Sequence, residues 1–195
     1  ELVSKLSNAT QRNARHTMFS HYLTTHQDLP LWVLVTKLTF GEITNFYKLI
    51  TPNIQEKILE DIHKEYTSEY RAHITDPTST LIPIFSEILD VLVGYRNVCA
   101  HGDRLYNHRT IGPKKTIKKL TYYFIVTPKG SESSVYGLLI SLRLLLPRGA
   151  YKSIIDEVIN ELILLSETLP VMQFNQVLAK MELTLQWRQT LKSLQ

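Results

Sequence analysis

The sequence predicts an all-α protein, a helical bundle with additional packed helices folded as one domain over residues 1–195. Apolar side chains recur at three- and four-residue steps through most of the chain, as helices that bury one face require. Breakers such as Gly41, Pro52, Asp76-Pro77, Gly102 and Pro147 divide these stretches into helix-sized pieces. Only Thr121-Tyr122-Tyr123-Phe124-Ile125-Val126 has the aromatic and β-branched density of a strand, so one short extended segment is expected at 121–126.

Taken in order, Asp28-Leu29-Pro30 reads as a helix start with Pro at the first helical position, continued by Trp32, Val33, Val35, Thr36 and Leu38 toward Gly41. Thr39 and Glu42 have the spacing of a capping box, and Ile43, Phe46, Tyr47 and Ile50 form the stripe of the helix behind it. Ile54, Ile58, Ile62 and Tyr66, with Leu59 and Tyr70, predict a helix from Thr51 to about Arg71. From Pro83, the positions Ile84, Phe85, Ile88, Leu89, Leu92 and Tyr95 define the next helix, with Gly102 as its stop. Residues 107–115 and 128–134 read as loops. Tyr136 to Leu146 is a buried helix ended by Pro147, Tyr151 to Leu165 the clearest amphipathic helix, and Phe174 to Leu191 a final one.

With 44% hydrophobic residues in 195, the chain can bury a substantial core. Its longest apolar stretches, such as Ile159 to Leu165 with Glu161 inside, are too short and interrupted to cross a bilayer, so no membrane association is expected. A start at Glu1 without Met or a signal-like apolar run reads as a processed or trimmed end. The single Cys99 rules out an internal disulfide and fits a reducing cytoplasm. Positive charge is concentrated: between Val91 and Ser131, Arg96, Arg104, Arg109, Lys114, Lys115, Lys118, Lys119 and Lys129 face Asp103 alone, and the remainder is net acidic. Such a stretch suits a phosphate backbone, with Arg109, Lys114, Lys115, Lys118 and Lys119 as candidate RNA contacts; a solvated basic loop is the plainer alternative.

Within that stretch lies Gly94-Tyr95-Arg96-Asn97-Val98-Cys99-Ala100-His101-Gly102-Asp103-Arg104-Leu105-Tyr106-Asn107. Arg96 and His101 stand as Arg-x-x-x-x-His, pairing a permanent cation for a phosphate with the residue type that exchanges protons near neutrality. On an undistorted helix, positions five apart point roughly 140° away from each other. The two can therefore share a site only if the helix ends between them or a second chain helps, and both are expected. His101 can take the proton of a ribose 2′-hydroxyl or protonate a leaving 5′-oxygen but not both at once, which gives a second His101 across a two-fold axis a chemical task. Arg96 would stabilise charge on the non-bridging oxygens, and Asn97 would orient the phosphate or the histidine.

Duller roles stand beside these. Arg96 and Asn97 can cap helix carbonyls, His101 can be structural, Arg104 and Asn107 can brace the turn as supporting residues, and Tyr106 can pack rather than stack on a base. Cys99, His101 and His108 fit no usual zinc spacing, and the helical position of Cys99 suggests packing. No Gly-rich phosphate loop or close carboxylate pair is present, so neither a metal nor a cofactor is expected.

An isolated Arg-x-x-x-x-His arises by chance about a third of the time in a chain of this make-up. The larger block Arg96-Asn97-x-Cys99-Ala100-His101-x-x-Arg104-Leu105-Tyr106-Asn107 is more specific, and it resembles the signature of the Abi-like proteins of bacterial abortive-infection systems, in the HEPN superfamily. Leu29-Pro30-Leu31-Trp32 and Leu38-Thr39-Phe40-Gly41-Glu42-Ile43 resemble the family's upstream Pro-x-Trp and Thr-Phe-Gly block. Met181-Glu182-Leu183-x-x-x-Trp187 is similar to a tail motif, although the Gly-Phe-Pro expected after Met181 is missing. The resemblance implies a HEPN-like helical bundle, a homodimer whose Arg-x-x-x-x-His segments face each other, and metal-independent endoribonuclease activity in phage defence. It also implies a further helical segment ahead of residue 1. Two other functions fit the same residues: a non-catalytic RNA-binding module, and a helical protein-interaction subunit. The sequence names no antitoxin or partner RNA.

Overall fold

The computed structural model describes residues 2–71, 78–110 and 133–195, which form ten α-helices and no strand among the described residues. The extended segment expected at 121–126 lies outside them. The chain divides into two compact units, Glu1–Thr51 and Pro52–Gln195, where the sequence reading took 1–195 as one domain.

The first unit holds α1 (Leu2–Asn13), α2 (Thr17–Thr25), α3 (Leu31–Val35) and α4 (Phe40–Leu49). Ala9, Phe19, Val33, Leu34 and Leu38 form its core, with Leu6, Tyr22, Leu29 and Val35 packed against it. The helix expected from Pro30 toward Gly41 is only five residues long, and Pro30 caps it rather than occupying its first turn. Thr39 explains the early stop: Thr39 Oγ1 accepts from the Glu42 amide at 3.3 Å, and the Thr39 amide donates to Glu42 Oε2 at 2.8 Å. This is the expected capping box, and it starts α4 before α3 can run on. Arg12 closes on the same carboxylate at 2.9 Å.

The second unit holds α5 (Pro52–Tyr70), α6 (Thr78–His101), α7 (Val135–Leu145), α8 (Arg148–Thr168), α9 (Val171–Lys180) and α10 (Trp187–Ser193). α6 packs between α5 and α7, and α8 carries α7, α9 and α10. All six positions of the predicted α6 stripe are buried. α6 nonetheless starts at Thr78, with Pro83 inside it. Near the start of a helix a proline removes only one amide bond, and the buried Leu81, Ile84 and Phe85 outweigh that loss. On α5 the expected Leu59 and Tyr66 are buried and Ile58, Ile62 and Tyr70 half-buried, but at the start of the helix Gln55 is buried and Ile54 exposed.

The expected single helix from Phe174 to Leu191 is two helices. Glu182 adopts φ +60°, its amide bonds Ala179 O at 3.2 Å, and the Leu183 amide reaches back to Leu178 O at 2.9 Å. These bonds satisfy the last carbonyls of α9, while Leu178 and Leu183 bury together across the turn.

Candidate functional site

α6 carries the Arg-x-x-x-x-His segment on its last two turns and does not end within it. Helical geometry persists through His101. Gly102, at φ +68°, then makes the turn: its amide bonds Cys99 O at 3.3 Å and the Asp103 amide bonds Val98 O at 3.1 Å. Glycine is suited here because the left-handed region strains other residues. The expectation that the helix breaks between Arg96 and His101 is therefore wrong. The break comes after both, because the first residue able to reverse the chain cheaply is Gly102.

On this continuous helix Arg96 and His101 diverge by roughly 140°, whereas Asn97 and His101 are i and i+4 neighbours about 40° apart. Arg96 Nη1 donates to Asn97 Oδ1 at 3.2 Å. Arg96, Asn97, His101, Arg104, Tyr106 and Asn107 are all exposed. The side chains of His101, Arg104, Tyr106 and Asn107 make no hydrogen bond or ion pair among the described residues. The Cys99 and Val98 carbonyls at the end of α6 are capped by the backbone amides of Gly102 and Asp103 rather than by side chains of the segment. Among the described residues no side-chain hydrogen bond from Arg104 or Asn107 braces the turn. Cys99, expected to pack, is exposed.

Below this surface the segment is tied down. Residues 102–110 return along α6 as a strap, and Tyr95 fastens it: its hydroxyl, wholly buried, donates at 2.8 Å to His108 O and lies 3.0 Å from Ser133 O. Burial pushes the Tyr95 phenol well above its usual range, keeping it a neutral donor. The His108 ring meets Tyr95 edge to face at 4.9 Å, and its buried Nε2 has no hydrogen-bond partner among the described residues. The Thr110 amide bonds Ser133 O at 3.2 Å. Gly94 allows the approach, because a Cβ there would lie 2.7 Å from Thr110 Cγ2.

Arg109, expected to contact RNA, is ion-paired with Glu182 at the α9–α10 corner. Lys114, Lys115, Lys118 and Lys119 lie outside the described residues. Among the described residues no three His, Cys, Asp or Glu side chains cluster as metal ligands, and no helix is long and apolar enough to cross a membrane. Sequence reasoning placed Tyr95 in the apolar stripe and missed its clamp. The adjacent Gly94 was the available signal, since a glycine inside a helix stripe often marks a close approach.

No curated protein and no solved structure matches the chain. A family model described as Abi-like protein does, over residues 1–107, more than half of the length and ending at the last residue of the α6 motif. The chain belongs to the Abi-like protein family, whose suggested role is in abortive infection.

Proposed function

We propose that this protein is an endoribonuclease of an abortive-infection system that cleaves RNA at a composite site built from Arg96 and His101 of two copies. The observation that carries the reading is the pairing of exposure with anchoring: the motif side chains face solvent, while hydrogen bonds from Tyr95 and along the strap tie the backbone beneath them. Side chains that merely stabilised the fold would be engaged within it.

In the proposed reaction one His101 removes the 2′-hydroxyl proton. The 2′-oxygen attacks the phosphorus, the bond to the 5′-oxygen breaks, and the partner's His101 supplies the proton that the leaving oxygen needs. Products are a 2′,3′-cyclic phosphate and a 5′-hydroxyl. Asn97, one turn from His101 on the same face, orients the imidazole, and Arg96 neutralises the developing charge on the phosphate. Because Arg96 and His101 of one helix point apart, the partner's arginine is the better placed to meet each histidine's phosphate.

The test incubates the protein, Arg96→Ala and His101→Ala with end-labelled RNA in excess chelator and identifies the fragment ends. The expected result is cutting to cyclic phosphate and 5′-hydroxyl ends, lost by at least about a hundredfold in His101→Ala and absent where a single 2′-deoxynucleotide replaces the cleaved position. Unchanged cutting by His101→Ala removes the proposal.

A further inference from the structure

The Pro-x-Trp block of the first unit takes no part in the proposed reaction, yet the structure gives it an unusual setting. Tyr22 of α2 lies among three other rings: His21 at 5.5 Å, His26 at 5.5 Å and Trp32 of α3 at 5.8 Å, with His21 and His26 themselves 5.7 Å apart. Tyr22 is anchored by the core beneath it. His21 and His26 are exposed, and Trp32 is 60% exposed whereas Trp187, the other tryptophan, is 5% exposed. A tryptophan left this open is uncommon in a domain able to cover it, so packing does not account for the residue.

The Tyr22 and Trp32 planes meet at 89°. Whichever ring supplies the edge, Trp32 keeps at least one face that Tyr22 does not cover. Tyr22 and His26 are tilted by only 36°, so the patch presents flat surfaces rather than an aliphatic groove. Its charge leans positive: from Gln11 to Gln27 the chain carries Arg12, Arg15, His16, His21 and His26 and no carboxylate, and the first carboxylate after them, Asp28, accepts from the Leu29 amide at 2.8 Å. Arg12 is held by Glu42, which leaves Arg15 and the imidazoles. Open π-faces beside groups that can carry positive charge match a base and its phosphate; an apolar peptide would use the rings but not the imidazoles.

We propose that Trp32, with Tyr22, His21 and His26, forms a stacking site for an unpaired nucleotide of single-stranded RNA. The site rests on the reading of the chain as a protein that acts on RNA.

The test measures affinity on the full chain carrying His101→Ala, so that cutting does not interfere. The probe is a fluorescein-labelled single-stranded RNA of about 12 nucleotides, compared with a blunt duplex of the same sequence. Trp32→Ala is expected to weaken single-strand binding by about 5- to 100-fold, Trp32→Phe by no more than about threefold, and duplex binding by less than about twofold. In the same background, 4-thiouridine RNA is expected to crosslink within residues 17–35. The proposal is overturned if single-strand affinity holds in Trp32→Ala, as it would for a protein-docking patch, if duplex and single strand lose equally, or if crosslinks fall only elsewhere. Trp32-dependent binding in a protein that never cuts RNA would sink the ribonuclease reading and leave this site standing; cutting without that binding would do the reverse.

Discussion

Adding one methyl group at Gly94 tests the account of the strap. The Cβ of Gly94→Ala would come within 2.7 Å of Thr110 Cγ2, about 1 Å inside ordinary carbon contact. Thr110 is β-branched, so its side chain has little rotational freedom, and its amide is tied to Ser133 O. Overpacking of this kind costs roughly 1–3 kcal/mol. Against it stands about 0.5–1 kcal/mol gained by replacing a mid-helix glycine with alanine. The single variant should therefore lose about 1 kcal/mol, a modest figure because the two effects oppose. The sharper expectation concerns Thr110→Ser, which removes Cγ2 and leaves the next contact, Thr110 Cβ, at an ordinary 3.6 Å. In that background Gly94→Ala should become neutral or stabilising, giving a coupling of about 1–2 kcal/mol in a double-mutant cycle. Urea denaturation of the four proteins, followed by circular dichroism, measures it. Additivity within about 0.5 kcal/mol would refute the close approach of strap and helix.

Two further outcomes follow from helix ends. The Glu42 carboxyl is held below its usual value, first by the Thr39 backbone amide, then, against the opposing effect of burial, by the Thr39 hydroxyl and Arg12. A depressed carboxylate stabilises above its unfolded pKa, near 4.5, and loses that contribution as pH falls through the lower folded value. Amide-exchange protection of α4 should thus fall between pH 6 and pH 3 in the natural protein and change little in Glu42→Gln; parallel behaviour would contradict the capping box. At the α9–α10 turn, Glu182→Gly relieves a left-handed residue at about 1 kcal/mol and gives up an exposed ion pair of less than that. Its melting temperature should match or exceed the parent by about 2 °C, whereas Glu182→Ala should melt lower. A fall in both would count against the backbone explanation.

How far the sequence could be read depended on the range of the interaction. α4 was legible because its capping box is a contact between residues three apart, and α6 because its stripe repeats six times over one buried face. The first turn of α5 was not, since there Gln55 is buried and Ile54 exposed, against what the apolar pattern alone predicts. The break in α9–α10 was hidden for a related reason: the residue at the turn is glutamate, and its φ of +60° is held by Met181, Leu183 and the carbonyls of α9 rather than by its own preference. At the candidate site the motif was visible as residue types in order, but its geometry was not. Whether α6 stops before or after His101 turns on the competition between helix propagation and the first cheap left-handed residue, and here Gly102 comes last.

That order has a consequence for the proposed chemistry. Along α6, His101 falls almost directly in line with Gly94, seven residues earlier, while Arg96 lies on nearly the opposite side. The strap returns over Gly94 and Tyr95, so the same backbone that fixes the histidine's side of the helix leaves the arginine's side uncovered. If Arg96 and His101 act as proposed, a single chain offers a base without a facing phosphate clamp, and a clamp without a facing base. On the proposed reading, two-fold association of the α6 ends is what turns these halves into a reaction centre, and it requires no movement of either helix. Activity would then scale with dimer rather than with chain, because Arg96 and His101 leave one helix about 140° apart around its axis.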